Sequence, residues 1–317
     1  MHIDPAVFDP ASIDPETAAF NAELEAALAA VPPITEFTPA EVRAAREAGQ
    51  GFQGPLVLST TAEQRTIPGP GGELPIRLFL PDDPQGVFLH IHGGGHTIGA
   101  SHHLDPQNTE LATEGGVAVV SVGYRLAPEH PFPAGPDDCE AAAAWLVEHA
   151  AAEFGRDVLL IGGESAGAHL AALTLLRMRD RHGYTGFRGA NLVYGVYDLS
   201  MTPSQRNWGN RNLILSTPII EWFGSHFVPM ELRRDPAVSP LYADLADLPP
   251  ALFTVGTLDP LLDDTLFMAA RWEAAGNRAE VAVYPGGVHA FDYFTDLGLG
   301  RRARRRMAGF VAECVAG

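Results

Sequence analysis

From about residue 64 to its end, the chain alternates between short apolar runs and longer helix-forming segments. Apolar runs bounded by turn residues predict strands at 64–67, 74–80, 87–91, 117–122, 158–161, 191–195, 251–255 and 279–284. Segments of strong helix formers predict helices at 134–152, 166–176, 263–275 and 307–315. Continuous apolar strands that alternate with helices indicate an α/β fold, in which helices cover both faces of a mostly parallel sheet.

Two segments depart from this alternation. The first fifty residues are mostly helical in pattern: one helix begins at Asp14-Pro15, and Thr38 with Glu41 marks the start of a second. Between residues 198 and 244 no strand is predicted, and the apolar and aromatic positions favour one or two amphipathic helices. Such an insertion can form a lid over the carboxyl ends of the strands, where α/β sheets bind ligands. The alternative is that these helices pack at the side of the sheet.

Composition excludes several functions. A net charge of −18 makes nucleic acid and anionic membrane surfaces poor partners. No apolar run approaches the roughly 18–20 residues that span a bilayer. The chain has no lysine, which excludes lysine Schiff bases and Ser–Lys dyads. Its arginine cluster at 301–306 is expected on a solvated helix face, and Cys139 and Cys314 are expected to be buried apolar residues. The acidic amino terminus lacks the blocks of a signal peptide, so we expect a cytoplasmic protein.

The segment 163–167, Gly-Glu-Ser-Ala-Gly, follows the apolar run at 158–161 directly. A G-x-S-x-G sequence between a buried strand and a helix is typical of a nucleophile elbow, a turn so tight that its neighbours must be small. The Ala- and Leu-rich segment that follows completes the strand–turn–helix context. Ser165 is therefore the candidate nucleophile.

A serine nucleophile needs a histidine base and a carboxylate that orients the base. His289 follows the strand predicted at 279–284, and Asp259 follows the one at 251–255, so both lie in loops at strand ends in the order Ser, Asp, His. Asp263 and Asp264 are rivals for the carboxylate. Because a helix begins after Pro260, these two are expected to lie in its first turn. Asp259 is therefore preferred as the carboxylate that orients the base.

The stretch His92-Gly93-Gly94-Gly95 directly follows the strand predicted at 87–91. Its unshielded N–H groups, with that of Ala166, are candidates for an oxyanion hole. The register among the glycines stays open, since Gly95 can take the place of Gly93. His92 is expected to support the loop by a hydrogen bond rather than to act in catalysis.

Two other interpretations of this stretch are disfavoured. The glycines match neither dinucleotide-binding nor P-loop patterns. A metal site among His92, His96, His102 and His103 would need helical spacing between the first two, which three intervening glycines make improbable. No metal and no cofactor are predicted.

The chain resembles the hormone-sensitive lipase-like esterases of the α/β-hydrolase fold, in five stretches that keep the family's order: 92–95, 124–134, 163–167, 259–263 and 289–291. The resemblance implies an eight-stranded, mostly parallel sheet, with a catalytic domain at 51–197 and 245–317 and a helical cap at 1–50 and 198–244. It implies hydrolysis of short- to medium-chain carboxylic esters without a cofactor. It also assigns Ser165 as nucleophile, His289 as base and Asp259 as its partner. The N–H groups of Gly94 and Ala166, with that of either Gly93 or Gly95, are implied as donors to the oxyanion.

Three residues depart from the family pattern. His96 stands where Phe or Trp is usual, and it is expected to make the pocket more polar. Glu164 replaces Asp or Thr before the nucleophile, and an arginine near the elbow is its hypothetical partner. Ala290 replaces glycine after the histidine. None of these changes removes a catalytic group.

The predicted function is a carboxylesterase that takes a small ester and is a monomer or a homodimer. An amidase or acyltransferase would use the same three residues and stays open as an alternative. A non-catalytic receptor on a hydrolase fold is less favoured, because receptors of this kind have lost the histidine that is present here as His289.

Overall fold

The fold is taken from a computed structural model that describes residues 3–51 and 53–317. Residues 1, 2 and 52, which belong to the predicted cap and catalytic segments, lie outside the described residues. Within the described part of the chain there are eight strands: β1 (Glu63–Gly69), β2 (Gly72–Phe79), β3 (Gly86–Ile91), β4 (Val117–Val122), β5 (Leu159–Glu164), β6 (Gly189–Val193), β7 (Ala251–Leu258) and β8 (Ala279–Val288).

The strands form one sheet in the order β1-β2-β4-β3-β5-β6-β7-β8. β2 pairs antiparallel with both β1 and β4, and every other pairing in the sheet is parallel. This confirms the predicted eight-stranded, mostly parallel sheet. Because parallel strands all end at one edge, the loops that follow β3, β5, β7 and β8 meet there.

The described residues contain nine α-helices: α1 (Pro15–Ala29), α2 (Pro39–Glu47), α3 (Asp105–Gly115), α4 (Ala134–Phe154), α5 (Ala166–His182), α6 (Pro203–Asn207), α7 (Thr217–Phe227), α8 (Leu262–Ala274) and α9 (Gly298–Ala316). Among residues 3–51 and 53–317, none of them has both the length and the apolar character that crossing a lipid bilayer requires.

The apolar core lies on both faces of the sheet. β3, β4 and β6 are buried at every position, which explains why their sequences are continuous apolar runs. Helices α4, α5 and α8 pack on one face, where Leu146, Leu170 and Trp272 join the strand side chains. Helices α3 and α9 cover the other face through Ala112 and Val311. Cys139 and Cys314 are buried free thiols, as predicted.

The predicted segments largely coincide with the observed ones, with two differences. α9 begins at Gly298 and contains both the predicted segment 307–315 and the arginine cluster at 301–306. α3 was not predicted, and the solvated helix face expected for the arginine cluster is present only in part. In the arginine cluster, Arg304 is buried and donates to Glu110 and to the Asp292 carbonyl, whereas the other four arginines are exposed.

Residues 3–51 contact the sheet as well as the segment 198–244. The side chain of Leu24 in α1 belongs to the apolar core on the α9 face, and Asn21 donates to the Gly286 carbonyl at 2.8 Å. Arg211 forms an ion pair with Glu25 in α1, 2.9 Å between Nε and Oε1. Helices α6 and α7 occupy the interval in which one or two amphipathic helices were predicted.

Candidate active site

Ser165 lies in the turn between β5 and α5 with φ of 56° and ψ of −118°, a conformation that a residue with a side chain rarely adopts. The flanking glycines make this turn possible. A Cβ at Gly163 or at Gly167 would overlap the carbonyl oxygen of Ile91, the last residue of β3. The elbow therefore packs directly on β3, and its tightness leaves the serine hydroxyl projecting from the sheet edge.

His289 connects Ser165 to Asp259. Its Nε2 lies 2.9 Å from Ser165 Oγ, and its Nδ1 lies 2.9 Å from Asp259 Oδ2. Asp259 directly follows β7 and is 1% exposed, and its Oδ1 accepts the N–H of Leu261 at 2.8 Å. The carboxylate is thus fixed and can hold a proton on Nδ1, which leaves Nε2 free to accept the serine proton.

The rival aspartates face elsewhere. Asp263 Oδ2 accepts the N–H of Ser204 at 2.8 Å. Asp264 is buried and accepts four hydrogen bonds, from the N–H groups of Tyr197 and Asp198 and from the side chains of Thr202 and Gln205. Burial raises the pKa of Asp264 to about 7, although these donors oppose the rise. Both residues hold the segment after β6 against the start of α8.

The glycine loop passes beside the elbow. Thr97 and Ile98 donate their N–H groups to the Gly94 carbonyl at 3.0 and 2.8 Å, which fixes the loop. Within the described part of the chain, no hydrogen bond has the N–H of Gly93, Gly94 or Gly95 as its donor. All three glycines line the same cavity as Ser165. Ala166 is the first residue of α5, where a helical N–H has no partner within its own helix.

His92 supports this loop from behind. Its ring stacks on Tyr124 with centroids 4.2 Å apart, and its Nδ1 donates to the Gly93 carbonyl at 2.9 Å. The hydroxyl of Tyr124 donates to the His92 carbonyl at 2.9 Å. Burial lowers the pKa of His92 to about 3, so the ring is neutral and its Nδ1–H donates to the loop. This agrees with the supporting role predicted for it.

A cavity of about 560 Å³ opens onto Ser165 and His289. This volume lies within the range of small-molecule sites. Its wall is mostly apolar and comes from both segments of the predicted cap, for example Leu28, Val42, Leu199, Ile219 and Phe223. The glycine loop and His289, Ala290, Asp292 and Tyr293 also contribute to the wall.

Sequence reasoning missed a buried polar pair in this cavity. The hydroxyl of Tyr194 donates to Asp292 Oδ1 at 2.5 Å, and the Tyr194 ring lies 4.7 Å from the ring of His289. Burial raises the pKa of Asp292 to about 6. Arg46 also lines the cavity and donates to the Gly54 carbonyl and to a tyrosine hydroxyl. The one signal for Asp292 was its position three residues after the candidate base.

The expected arginine partner of Glu164 is wrong. Both of its carboxylate oxygens lie 3.1 Å from Nε2 of His90, which is buried in β3. The other nitrogen of that ring, Nδ1, lies 2.8 Å from Ser121 Oγ in β4. Because β3 lies between β4 and β5 in the sheet, this polar row crosses three neighbouring strands under the elbow.

His96 lines the cavity, but its Nε2 forms a hydrogen bond with a second histidine. Its Nε2 lies 2.9 Å from His169 Nδ1 in α5, and its ring stacks 3.8 Å from Phe227. His169 Nε2 donates to the Val238 carbonyl, which makes His169 Nδ1 the acceptor of the His96 N–H. Burial lowers the pKa of both rings, so both are neutral.

The structure separates the four clustered histidines into two groups. His92 hydrogen-bonds to the Gly93 carbonyl, and His96 hydrogen-bonds to His169. His102 and His103 face Glu47 at the end of α2, and one ligand atom of each of these three lies within 4.8 Å of the others. Glu47 lies 55 positions from His102 in the chain, so no local spacing pattern predicts this group.

Comparison with known proteins gives consistent similarities. Residues 88–293 match a family model described as the alpha/beta hydrolase fold. The chain is 37% identical to an ethyl acetate hydrolase of Pseudomonas putida over 232 residues, 70% of this chain and 72% of that protein. It is 34% identical to the carboxylic ester hydrolase LipN of Mycobacterium tuberculosis over 83% of this chain and 72% of that one.

A solved structure shows the same similarity in three dimensions. The hyperthermophilic esterase from the archaeon Pyrobaculum calidifontis superimposes with a TM-score of 0.87 at 31% identity, over 96% of this chain and 99% of that one.

Proposed function

The chain belongs to the alpha/beta hydrolase fold family, and we propose that it is a carboxylesterase that works through an acyl-enzyme formed on Ser165. One observation carries the proposal: the imidazole of His289 lies within hydrogen-bond distance of both the Ser165 hydroxyl and the Asp259 carboxylate. A nucleophile, a base and a carboxylate that orients the base are the parts that serine hydrolysis requires.

Acylation follows from this arrangement. Ser165 Oγ attacks the ester carbonyl carbon while His289 Nε2 takes the hydroxyl proton, and Asp259 stabilises the imidazolium that forms. The tetrahedral intermediate collapses as His289 returns the proton to the departing alcohol. The acyl group then remains on Ser165 as an ester. Deacylation repeats these steps with water, whose proton passes to His289 as the hydroxyl attacks, and the carboxylic acid is released.

The negative charge that develops on the carbonyl oxygen needs hydrogen-bond donors. The N–H groups of Gly94 and Ala166, with that of Gly93 or Gly95, are proposed to supply them. The loss of one such donor costs roughly 3–4 kcal/mol of transition-state stabilisation in a comparable hydrolase. Since backbone donors are fixed before substrate arrives, they need no reorganisation during the reaction.

Replacement of the nucleophile tests the proposal. Ser165→Ala removes the attacking oxygen, and we expect hydrolysis of 4-nitrophenyl butyrate to fall to the rate without enzyme. Ser225→Ala is the matched control, because Ser225 is an exposed serine of α7 whose hydroxyl donates to the Trp222 carbonyl of the same helix. Near-normal turnover by Ser165→Ala would refute the proposal.

Two alternatives use the same fold. An amidase or an acyltransferase would share the three residues, and rates on a matched ester and amide, with and without an added alcohol acceptor, distinguish these activities. A receptor without catalysis is opposed by His289, which occupies the base position at bonding distance from Ser165. The esterase names of the relatives favour hydrolysis of esters.

The proposed substrates are small esters with short to medium acyl chains. The support is the mostly apolar cavity of about 560 Å³. Each methylene that the cavity buries contributes about 0.8 kcal/mol, so the rate is expected to rise with acyl length until the cavity is full and then to fall. A series of 4-nitrophenyl esters of increasing acyl length tests this.

Residues 1–50 and 198–244 are proposed to form the cap, and the remainder the catalytic domain. In support, an apolar cluster apart from the two clusters of the sheet is formed mostly by residues of the segment 196–238, among them Leu215, Ile219 and Phe227, together with Ala127 and Leu261. The monomeric or homodimeric state and the cytoplasmic location remain predictions from the sequence. Sedimentation of the purified protein tests the first, and activity in cell fractions tests the second.

A further inference from the structure

Three side chains of types that bind metal ions converge at the rim of the cavity, and the proposed hydrolysis uses none of them. Glu47 is the last residue of α2, and His102 and His103 lie in the turn before α3. Nε2 of His102 lies 3.2 Å from Glu47 Oε1, and Nε2 of His103 lies 2.7 Å from the same oxygen. We propose that Glu47, His102 and His103 bind one divalent transition-metal ion, preferably zinc, and that the ion fastens α2 to this turn.

The ligand types fit zinc. Two imidazole nitrogens and one carboxylate leave a fourth position open to water, as in catalytic zinc sites. With zinc–ligand bonds of about 2.0–2.1 Å, neighbouring ligands of a tetrahedral site lie about 3.3 Å apart. The distance from His102 to Glu47 already has this value within about 0.1 Å, and the distance from His103 needs to widen by about 0.6 Å. A rotation of the half-exposed Glu47 side chain supplies that change.

The ligands determine the pH range in which an ion binds. Metal binding requires neutral imidazoles and an ionised carboxylate, so affinity is expected to fall as the pH is lowered. Arg46, the residue before Glu47, carries a charge of the same sign as the ion and is expected to weaken binding.

The location gives the site a consequence. His103 lines the cavity, and α2 contributes Val42, Ala45 and Arg46 to the same wall. The turn that carries His102 and His103 continues from the glycine loop. A bound ion therefore joins two segments that form the rim of the cavity. Zinc is expected to raise the melting temperature of the protein by stabilising this junction in the folded state.

The experiment is a calorimetric titration of the unchanged, chelator-treated protein with zinc chloride, with magnesium chloride as the hard-cation comparison. We expect one zinc ion per chain and no binding of magnesium, which prefers oxygen ligands. Glu47→Gln and His103→Ala are each expected to weaken binding about 10- to 100-fold, since even outer partners of metal ligands have effects of this size. The zinc-dependent rise in melting temperature should vanish in both variants.

His182→Ala is the matched control. His182 forms an exposed pair with Glu140, 3.0 Å between Nε2 and Oε1, but no second histidine joins them among the described residues. It should bind zinc as the unchanged protein does. His289→Ala shows whether the ion sits at the proposed catalytic base instead. Absence of saturable zinc binding, equal affinity in Glu47→Gln, or loss of binding in His289→Ala would overturn the proposal, and none of these results bears on the esterase activity.

Discussion

Asp259 and Asp263 lie four positions apart but contact different partners. Asp259→Asn would place an amide donor opposite His289 Nδ1 and favour the wrong tautomer of the ring. In a protease triad the equivalent change lowers kcat about 10⁴-fold, and we expect a loss of that order here. Asp263→Asn is the control, because an amide oxygen can still accept the N–H of Ser204. The measurement is kcat for 4-nitrophenyl butyrate, and a larger loss in Asp263→Asn than in Asp259→Asn would contradict the assignment.

The buried carboxyl of Asp292 predicts a pH dependence of stability. Its pKa is about 6 in the folded protein against an ordinary value of 3.8, so between these values the folded protein binds more protons than the unfolded chain. The stabilisation is full below about pH 4 and is lost as the pH rises through 6, by roughly 3 kcal/mol. Asp292→Asn keeps an oxygen acceptor for Tyr194 and does not titrate.

Urea unfolding of the unchanged protein and of Asp292→Asn, at intervals from pH 4 to pH 8, measures this loss of stability. Up to about pH 6, the unfolding free energy of the unchanged protein should fall relative to that of Asp292→Asn. Above that pH the difference between the two proteins should stay constant. Other titrating groups, including Asp264, contribute equally to both proteins and cancel. Two parallel pH profiles would contradict the pKa that we assign to Asp292.

The sequence was sufficient to predict that Ser165, Asp259 and His289 lie together, because each stands in a loop after an apolar run, and chain order relates the loops. It was not sufficient for Glu164. Its partner, His90, lies on a neighbouring strand, and the sheet order that makes them neighbours is not written in any local pattern. The pairing of Asp292 with Tyr194 depends on sheet geometry in the same way.

Among the secondary-structure elements, the contact between β3 and the elbow depends on two glycines. Gly167→Ala would place a methyl group within the Ile91 carbonyl, so β3 or α5 has to move, and we expect a loss of about 3 kcal/mol or more of stability. Gly309→Ala is the matched control in α9, because nothing lies within 4 Å of its added Cβ. That change should stabilise the protein by about 0.5–1 kcal/mol. Equal melting temperatures for the two variants would be inconsistent with this packing.

The helices differ in how much of them the sequence predicts. α2 has its capping box in the structure, with Thr38 and Glu41 bonded as their spacing indicates. α3 was missed because its sequence, DPQNTELATEG, has few apolar residues and its N-cap, Leu104, makes no side-chain hydrogen bond. The first turn of α9 packs closely on the preceding segment, since a Cβ at Gly300 would press on the Phe291 carbonyl.

At the level of the whole chain, the sheet brings the ends of β5, β7 and β8 to one edge, and two distant segments enclose that edge in a cavity. The fold was predictable because alternating strands and helices leave few arrangements of a parallel sheet. The contribution of α1 to the core beside α9 was not, because it depends on how the first fifty residues return across the sheet.

In the proposed mechanism, His289 makes Ser165 nucleophilic. Reaction with a fluorophosphonate, followed by peptide mass mapping, tests it most directly in the unchanged protein and in His289→Ala. We expect one phosphonyl group per chain, on the peptide that contains Ser165, and labelling that slows by orders of magnitude without the imidazole. Labelling at another residue, or an unchanged rate in His289→Ala, would contradict it.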